Sequence, residues 1–218
     1  TPPVGYSTDS IARGAILYHE NCSACHGRVP LSDGGAAPLS NLASRVGHPK
    51  VHPPGDLFWW IAHGIPGTSM PGLAPPLSDS DIWRLIHFLR AETESRWARA
   101  LTVSIEPRLS IAAPDFTFEV PGQLQESLRH PAGAQPDQQV VLVVLYTLPQ
   151  STQRLRALAA KKTAFAQAGV RVIAVPLRAS STSVDAEVPH DGNSMFALAR
   201  PDVATVYAMF ARRNDDSS

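Results

Sequence analysis

The texture of the chain changes once, near residue 105, and no single layered architecture accommodates both sides of the change. Before it, apolar residues recur at helical spacing among many Gly, Pro, His and Trp residues. From about residue 113 the β-branched runs DFTFEV, QVVLVVLYT and GVRVIAVPL alternate with helical segments. That alternation is the pattern of an α/β layer whose strands are at least partly parallel. The intervening RALTVSIEPRLSIAAP has two prolines and mixed polarity, and reads as a connector. The expected organisation is an all-α domain over residues 1–98, a linker over 99–112 and an α/β domain over 113–218.

Composition excludes several partners. Net charge is zero and the isoelectric point is near 7.0, so neither a broad basic face for nucleic acid nor an acidic tail is present. With 44% hydrophobic and 17% charged residues, the chain reads as a soluble globular protein able to bury one or two ordinary cores. The apolar run Val140 to Tyr146 is far too short to cross a bilayer, and the opening TPPVGYSTDS lacks the basic and apolar regions of a signal peptide. The expectation is a mature product or a soluble portion of something longer, with a membrane tether outside the chain one possibility. Many of the twenty prolines fall in the first 80 residues, which predicts short helices joined by stiff loops there.

Both cysteines of the chain lie in ENCSACHG, at Cys22 and Cys25, with His26 directly after. A disulfide across two intervening residues closes too small a ring to stabilise much. Zinc would need two further ligands, and no second CxxC or His pair at finger spacing is present. A thioredoxin-type redox pair would open a helix after a strand, whereas the preceding ILYHEN continues a helical pattern. The remaining reading uses every residue: two thiols on one turn add to the two vinyl groups of a single haem, and the adjacent histidine becomes an axial ligand.

An iron that only carries electrons wants a sixth ligand. Met70 is the one methionine of the first half, in a Gly- and Pro-rich loop, HGIPGTSMPG, that can hold a thioether in place. Filling a core gap is its alternative role. His48, His52 and His63 are rival ligands that would give a bis-histidine site. Three helices are predicted to frame the site. The first runs from Thr8 to Glu20 behind a cap at Ser7, Thr8 or Asp9, with Ile11, Ala15 and Tyr18 on one stripe and Gly14 beside them. A second, ending at Gly64, carries Trp59 and Trp60, which either close a haem pocket or are ordinary aromatics. The third opens on SDSD, resembling a capping box, and carries Ile82, Leu85, Ile86 and Leu89. The first and third are expected to cross at Gly14, because a mid-helix glycine costs about 1 kcal/mol relative to alanine unless another element needs the space.

GAILYHENCSACHG, the Pro38-Leu39 pair, GTSMPG and SDSDIWRLIHFLR together resemble the class I c-type cytochromes in order and spacing, over about residues 6 to 95. The resemblance implies one haem c bound covalently through Cys22 and Cys25, with His26 and Met70 on the iron. It also implies that Pro38, or its rival Pro30, accepts a hydrogen bond from the far nitrogen of His26. Location in the periplasm, or on the outer face of an energy-coupling membrane, follows from the same resemblance. So do redox partner proteins, a membrane respiratory complex foremost.

The second half resembles the thioredoxin-like group, especially its peroxiredoxin and copper-chaperone branches, on Ala113-Pro114-Asp115-Phe116, the strands Val140 to Tyr146 and Val170 to Pro176, and the helix of Leu155, Leu158 and Phe165. Where those branches place reactive cysteine, this chain has Leu148-Pro149-Gln150-Ser151-Thr152-Gln153, and no cysteine follows Cys25. Thiol chemistry by this domain is excluded, and copper binding loses its usual thiolates, His190 notwithstanding. A partial sheet of three or four strands is expected, followed by a helix at Pro201 to Arg212. The principal functional expectation is a single-electron carrier whose second domain docks or positions it. The alternatives are a haem enzyme or gas sensor with a displaceable sixth ligand, with His63 and Arg45 cast as its acid and base, and an accessory role in metal delivery to a respiratory complex.

Overall fold

Ser7 opens the first helix, α1 (Thr8–Asn21): its hydroxyl accepts from the Ser10 N–H at 3.3 Å, satisfying a donor that the first turn leaves without an intrahelical partner. The computed structural model describes residues 2–27, 52–100, 111–119, 126–129, 140–177, 198–199 and 201–211. The chain divides into two units, Thr1–Pro114 with Met209–Ser218, and Asp115–Ala208. In the first, α1 is followed by α2 (Ser23–His26), α3 (Pro54–His63) and α4 (Asp79–Ala100).

The predicted stripe of α1 is the one that packs: Ile11, Ala15 and Tyr18 are buried, as are Ile82, Leu85, Ile86 and Phe88 of α4. Each of the isoleucine, leucine and phenylalanine side chains among them contributes about 1.5–3 kcal/mol when fully buried. Helices α1 and α4 cross at Gly14, as expected. A Cβ built there would lie 2.7 Å from the Arg84 carbonyl carbon and 2.9 Å from Phe88 Cβ, so any side chain would push the helices apart. The cap of α4 also forms as expected, with Ser78 Oγ accepting from the Asp81 N–H at 3.2 Å and donating to the Asp81 carboxylate at 2.7 Å.

This helical interior is partly polar. The Ser10 hydroxyl and His87 Nδ1 share a buried hydrogen bond of 2.8 Å, and the Tyr6 ring stands edge-on to His87. Tyr6 donates to Glu94 at 3.1 Å, while Arg90 lies over the Tyr6 ring and 3.6 Å from Glu94. Five successive α4 residues, Ala91 to Ser95, are buried, two of them glutamates. Acids are buried in this way only where partners satisfy them.

The second unit is built on β3 (Val140–Tyr146) and β4 (Val170–Pro176), paired in parallel from Val140↔Val170 to Tyr146↔Pro176. Two short helices, α5 (Thr152–Ala160) and α6 (Lys162–Gln167), connect them, where a single helix carrying Leu155, Leu158 and Phe165 was predicted. Strand β4 is buried from Val172 to Val175, as a strand covered on both faces must be. Its alternate residues serve two cores. Ile173 and Val175 pack with Phe116, Phe118, Val203 and Ala204, whereas Ala174 packs with Tyr146 and Leu155.

A three-stranded antiparallel sheet in the order β2-β1-β5 joins Glu126–Ser127 and Leu198–Ala199 to the central Thr117–Glu119. Among the described residues the strands thus form two small sheets, of three and two strands, where one partial sheet was expected. The pairing is long-range: β1 hydrogen-bonds its antiparallel neighbours, one of them some eighty residues on, while its Phe118 ring packs under Arg171 of β4 and Arg171 pairs with Glu126 at 2.7 Å. Helix α7 (Pro201–Ala211) supplies Val203 and Ala204 to the first core. Most of the expected linker, residues 101–110, lies outside the described residues, and α4 runs to Ala100.

Candidate functional site

The end of α1 is closed by side chains as well as backbone. Asn21 Nδ2 donates to the Leu17 carbonyl at 2.9 Å, the Cys22 N–H to Tyr18 at 2.8 Å and the Ser23 hydroxyl to His19 at 2.6 Å. Two of the carbonyls that a helix end leaves without intrahelical donors, those of Tyr18 and His19, are thereby satisfied. The chain then turns at Cys22 into α2. The Cys22 carbonyl accepts from the N–H groups of Cys25, at 3.2 Å, and His26, at 2.9 Å, so Cys22, Cys25 and His26 share one turn. Gly27, at φ 81°, ends it.

Both cysteines are free thiols, Cys22 half-buried and Cys25 exposed. Burial, and secondarily the neighbouring Cys25, pushes the Cys22 thiol up to about 11. A redox nucleophile is marked by displacement the other way, toward thiolate, so Cys22 is not poised for disulfide exchange. Burial holds the His26 imidazole below its ordinary range, in the neutral form that offers a ring nitrogen to a metal. Two cysteines and one imidazole within a single turn fit the attachment of one haem by two thioethers and one ring nitrogen.

Met70 lies half-buried on the loop after α3, and that loop is fastened to the helix end. Leu73 and Ala74 donate to the carbonyls of Ile61 and Ala62, at 2.9 and 3.1 Å, while Gly64 and Pro71 form an antiparallel bridge. Gly64 closes α3 at φ 80°, and a Cβ on it would stand 2.7 Å from the Met70 carbonyl oxygen. Within the loop the Thr68 hydroxyl accepts from the Met70 N–H at 3.2 Å and donates to the Ile65 carbonyl at 2.8 Å. The methionine is therefore presented by a pinned loop.

Trp59 is 60% exposed and stacked on His63 at 3.8 Å between ring centres, with His63 Nδ1 donating to the Trp59 carbonyl. Trp60 is half-buried and edge-on to His52. The two tryptophans thus take different faces of α3, and two of the rival histidines each rest against one of them. Pro38, Pro30, His48, Arg45 and His190 lie outside the described residues. One feature escaped the sequence reading altogether. The Tyr18 hydroxyl, on the buried face of α1, donates to the Gly27 carbonyl at 3.1 Å, with the His26 carbonyl at 3.4 Å. The sole hint was a tyrosine on the apolar stripe four residues before Cys22.

Residues 9–89 match the family model described as cytochrome C oxidase, cbb3-type, subunit III. The matched stretch contains Cys22, Cys25, His26 and Met70 and covers fewer than half of the 218 residues. It is a cytochrome c domain of the cbb3 subunit III type, a class that implies covalent haem c and haem-based electron transfer, typically outside the cytoplasm. No curated protein matches the chain. No described helix is long and apolar enough to cross a membrane.

Proposed function

We propose that the chain is a single-electron carrier on the outer side of an energy-coupling membrane, such as the periplasm, exchanging electrons with partner proteins of a respiratory complex. The observation that carries this reading is the turn holding Cys22, Cys25 and His26 together at the end of α1, inside the segment that matches a respiratory oxidase subunit family. Haem c, when bound, supplies an iron that gains and loses one electron. The protein's own residues hold and shield it. Cys22 and Cys25 would attach it, His26 would offer its imidazole to the iron, and the pinned loop would present the Met70 thioether as a further ligand. Trp59 and Trp60 are the aromatic side chains that would border the site.

The layout that goes with this function is a cytochrome domain over 1–98, a linker over 99–112 and a cysteine-less thioredoxin-like domain over 113–218 that docks or positions the carrier. Support for the last part is the parallel β3–β4 pair joined through α5 and α6. Partner choice rests on local contacts, because residues 1–98 carry seven Lys and Arg against eight Asp and Glu, leaving no dominant field to steer encounter.

Absorption spectra of the ferric and ferrous protein, a pyridine haemochrome assay and the Met70→Ala variant test this. The expected result is a c-type haemochrome with a ferric sulfur-to-iron charge-transfer band that Met70→Ala abolishes. A haemochrome without that band removes Met70 as ligand and turns the reading toward a bis-histidine carrier or an open-site haem enzyme. Absence of covalent haem overturns the function.

A further inference from the structure

Helix α2 is four residues long, has no side-chain cap at its start and ends at Gly27. So short a helix holds its shape only if its terminal carbonyls find donors elsewhere. Tyr18 provides one. It is 3% exposed, its ring lies tilted against Phe88 of α4 at 5.4 Å, and its hydroxyl reaches the carbonyls of Gly27 and His26 from the neighbouring helix. The donor is itself immobilised, since Tyr18 stands one turn beyond Gly14, where α1 and α4 are in backbone contact.

We infer that Tyr18 is a positioning residue for His26: its hydroxyl ties the peptide units of His26 and Gly27 to the α1–α4 crossing and so sets where the imidazole is presented. This rests on the haem-attachment reading above. Two physical effects follow from the bond. It restrains the turn that carries the axial nitrogen, and it compensates carbonyl dipoles whose negative ends would otherwise favour the ferric state. Removing the hydroxyl alone, with the ring left in place, acts on both.

The test compares haem-loaded wild type, Tyr18→Phe and Ile82→Val, the last a control that loosens a fully buried position of α4 and leaves the Tyr18 bonds intact. Midpoint potential and amide hydrogen exchange at His26 and Gly27 are the readouts. Tyr18→Phe is expected to lower the potential and speed exchange of the two amides by roughly two- to tenfold, while Ile82→Val lowers the melting temperature and moves neither. A normal c-type haemochrome with potential and exchange unchanged in Tyr18→Phe overturns this inference alone. Equal shifts in Ile82→Val also overturn it, by showing a general packing effect. A wild-type chain without covalent haem overturns the inference together with the function beneath it.

Discussion

The α1–α4 crossing and the β3–β4 layer are built on opposite terms: the facing residues of both helices are buried, whereas in the layer β4 is buried from Val172 to Val175 and β3 only at Tyr146. The crossing brings two backbones together at Gly14 and admits polar groups to its interior, among them His87, Ser10, Glu92 and Glu94. The layer keeps its backbones one sheet spacing apart and fills both faces of β4 with aliphatic and aromatic side chains; its ion pair, Arg171 with Glu126, lies toward the first residues of that strand. Close approach leaves no volume to spare and exposes the crossing to protonation. The layer should respond to truncation and little else. In this molecule the region with the demanding interior is also the one that carries the attachment turn.

Truncation in the layer tests this most strongly. Leu155 is fully buried beside Tyr146 and Ala174; Leu155→Ala should destabilise the second unit by about 2–5 kcal/mol, read as a lowered urea midpoint by hydrogen exchange in β4, with the haem spectrum unchanged. A changed spectrum would break the contrast between the regions. Gly14→Ala does the converse. The added methyl meets the Arg84 backbone, which cannot rotate away, so a loss of about 1–3 kcal/mol is expected despite the better helix propensity of alanine. Calorimetry should show that loss in the transition that carries the haem signal.

The smallest effect is electrostatic. Burial, and secondarily Arg90, lowers His87 to about 4 from an ordinary 6.5. A group depressed in the folded state leaves the unfolded chain to take up the proton first. Its contribution is therefore fully present above about 6.5 and is lost as pH falls toward about 4. Between pH 7 and pH 5.5 this removes about 1 kcal/mol. Denaturant titrations should show His87→Gln flattening that slope; an unchanged slope would rule out His87 as its origin.

The elements set by local chemistry were legible in the sequence. A cap within Ser7 to Asp9, the Ser78–Asp81 box, the Gly64 stop and the strands Val140 to Tyr146 and Val170 to Pro176 each depend on neighbours a few residues away. Gly14 was legible because a mid-helix glycine has to be explained by something. The division of the strands into two sheets was not, since pairing of Thr117–Glu119 with Leu198–Ala199 spans most of the second unit and no periodicity encodes it. At the candidate site the spacing of Cys22, Cys25 and His26 could be read directly, and the structure puts the three on one turn. The Tyr18 bonds could not. Periodicity puts its ring on a buried face and says nothing of what the hydroxyl will reach.

Helix α4 is twenty-two residues long, about 33 Å, and continues three turns past residue 89, where the family match stops. Similarity and structural integrity therefore end at different places. A shortened cytochrome cut where the similarity ends would remove Arg90 and Glu94, taking away the carboxylate to which Tyr6 donates and the cation over its ring. It would also strip the buried segment Ala91 to Ser95 from the helix. The smallest piece that keeps these contacts thus runs at least to Ser95, six residues beyond the last one that likeness to other proteins can vouch for.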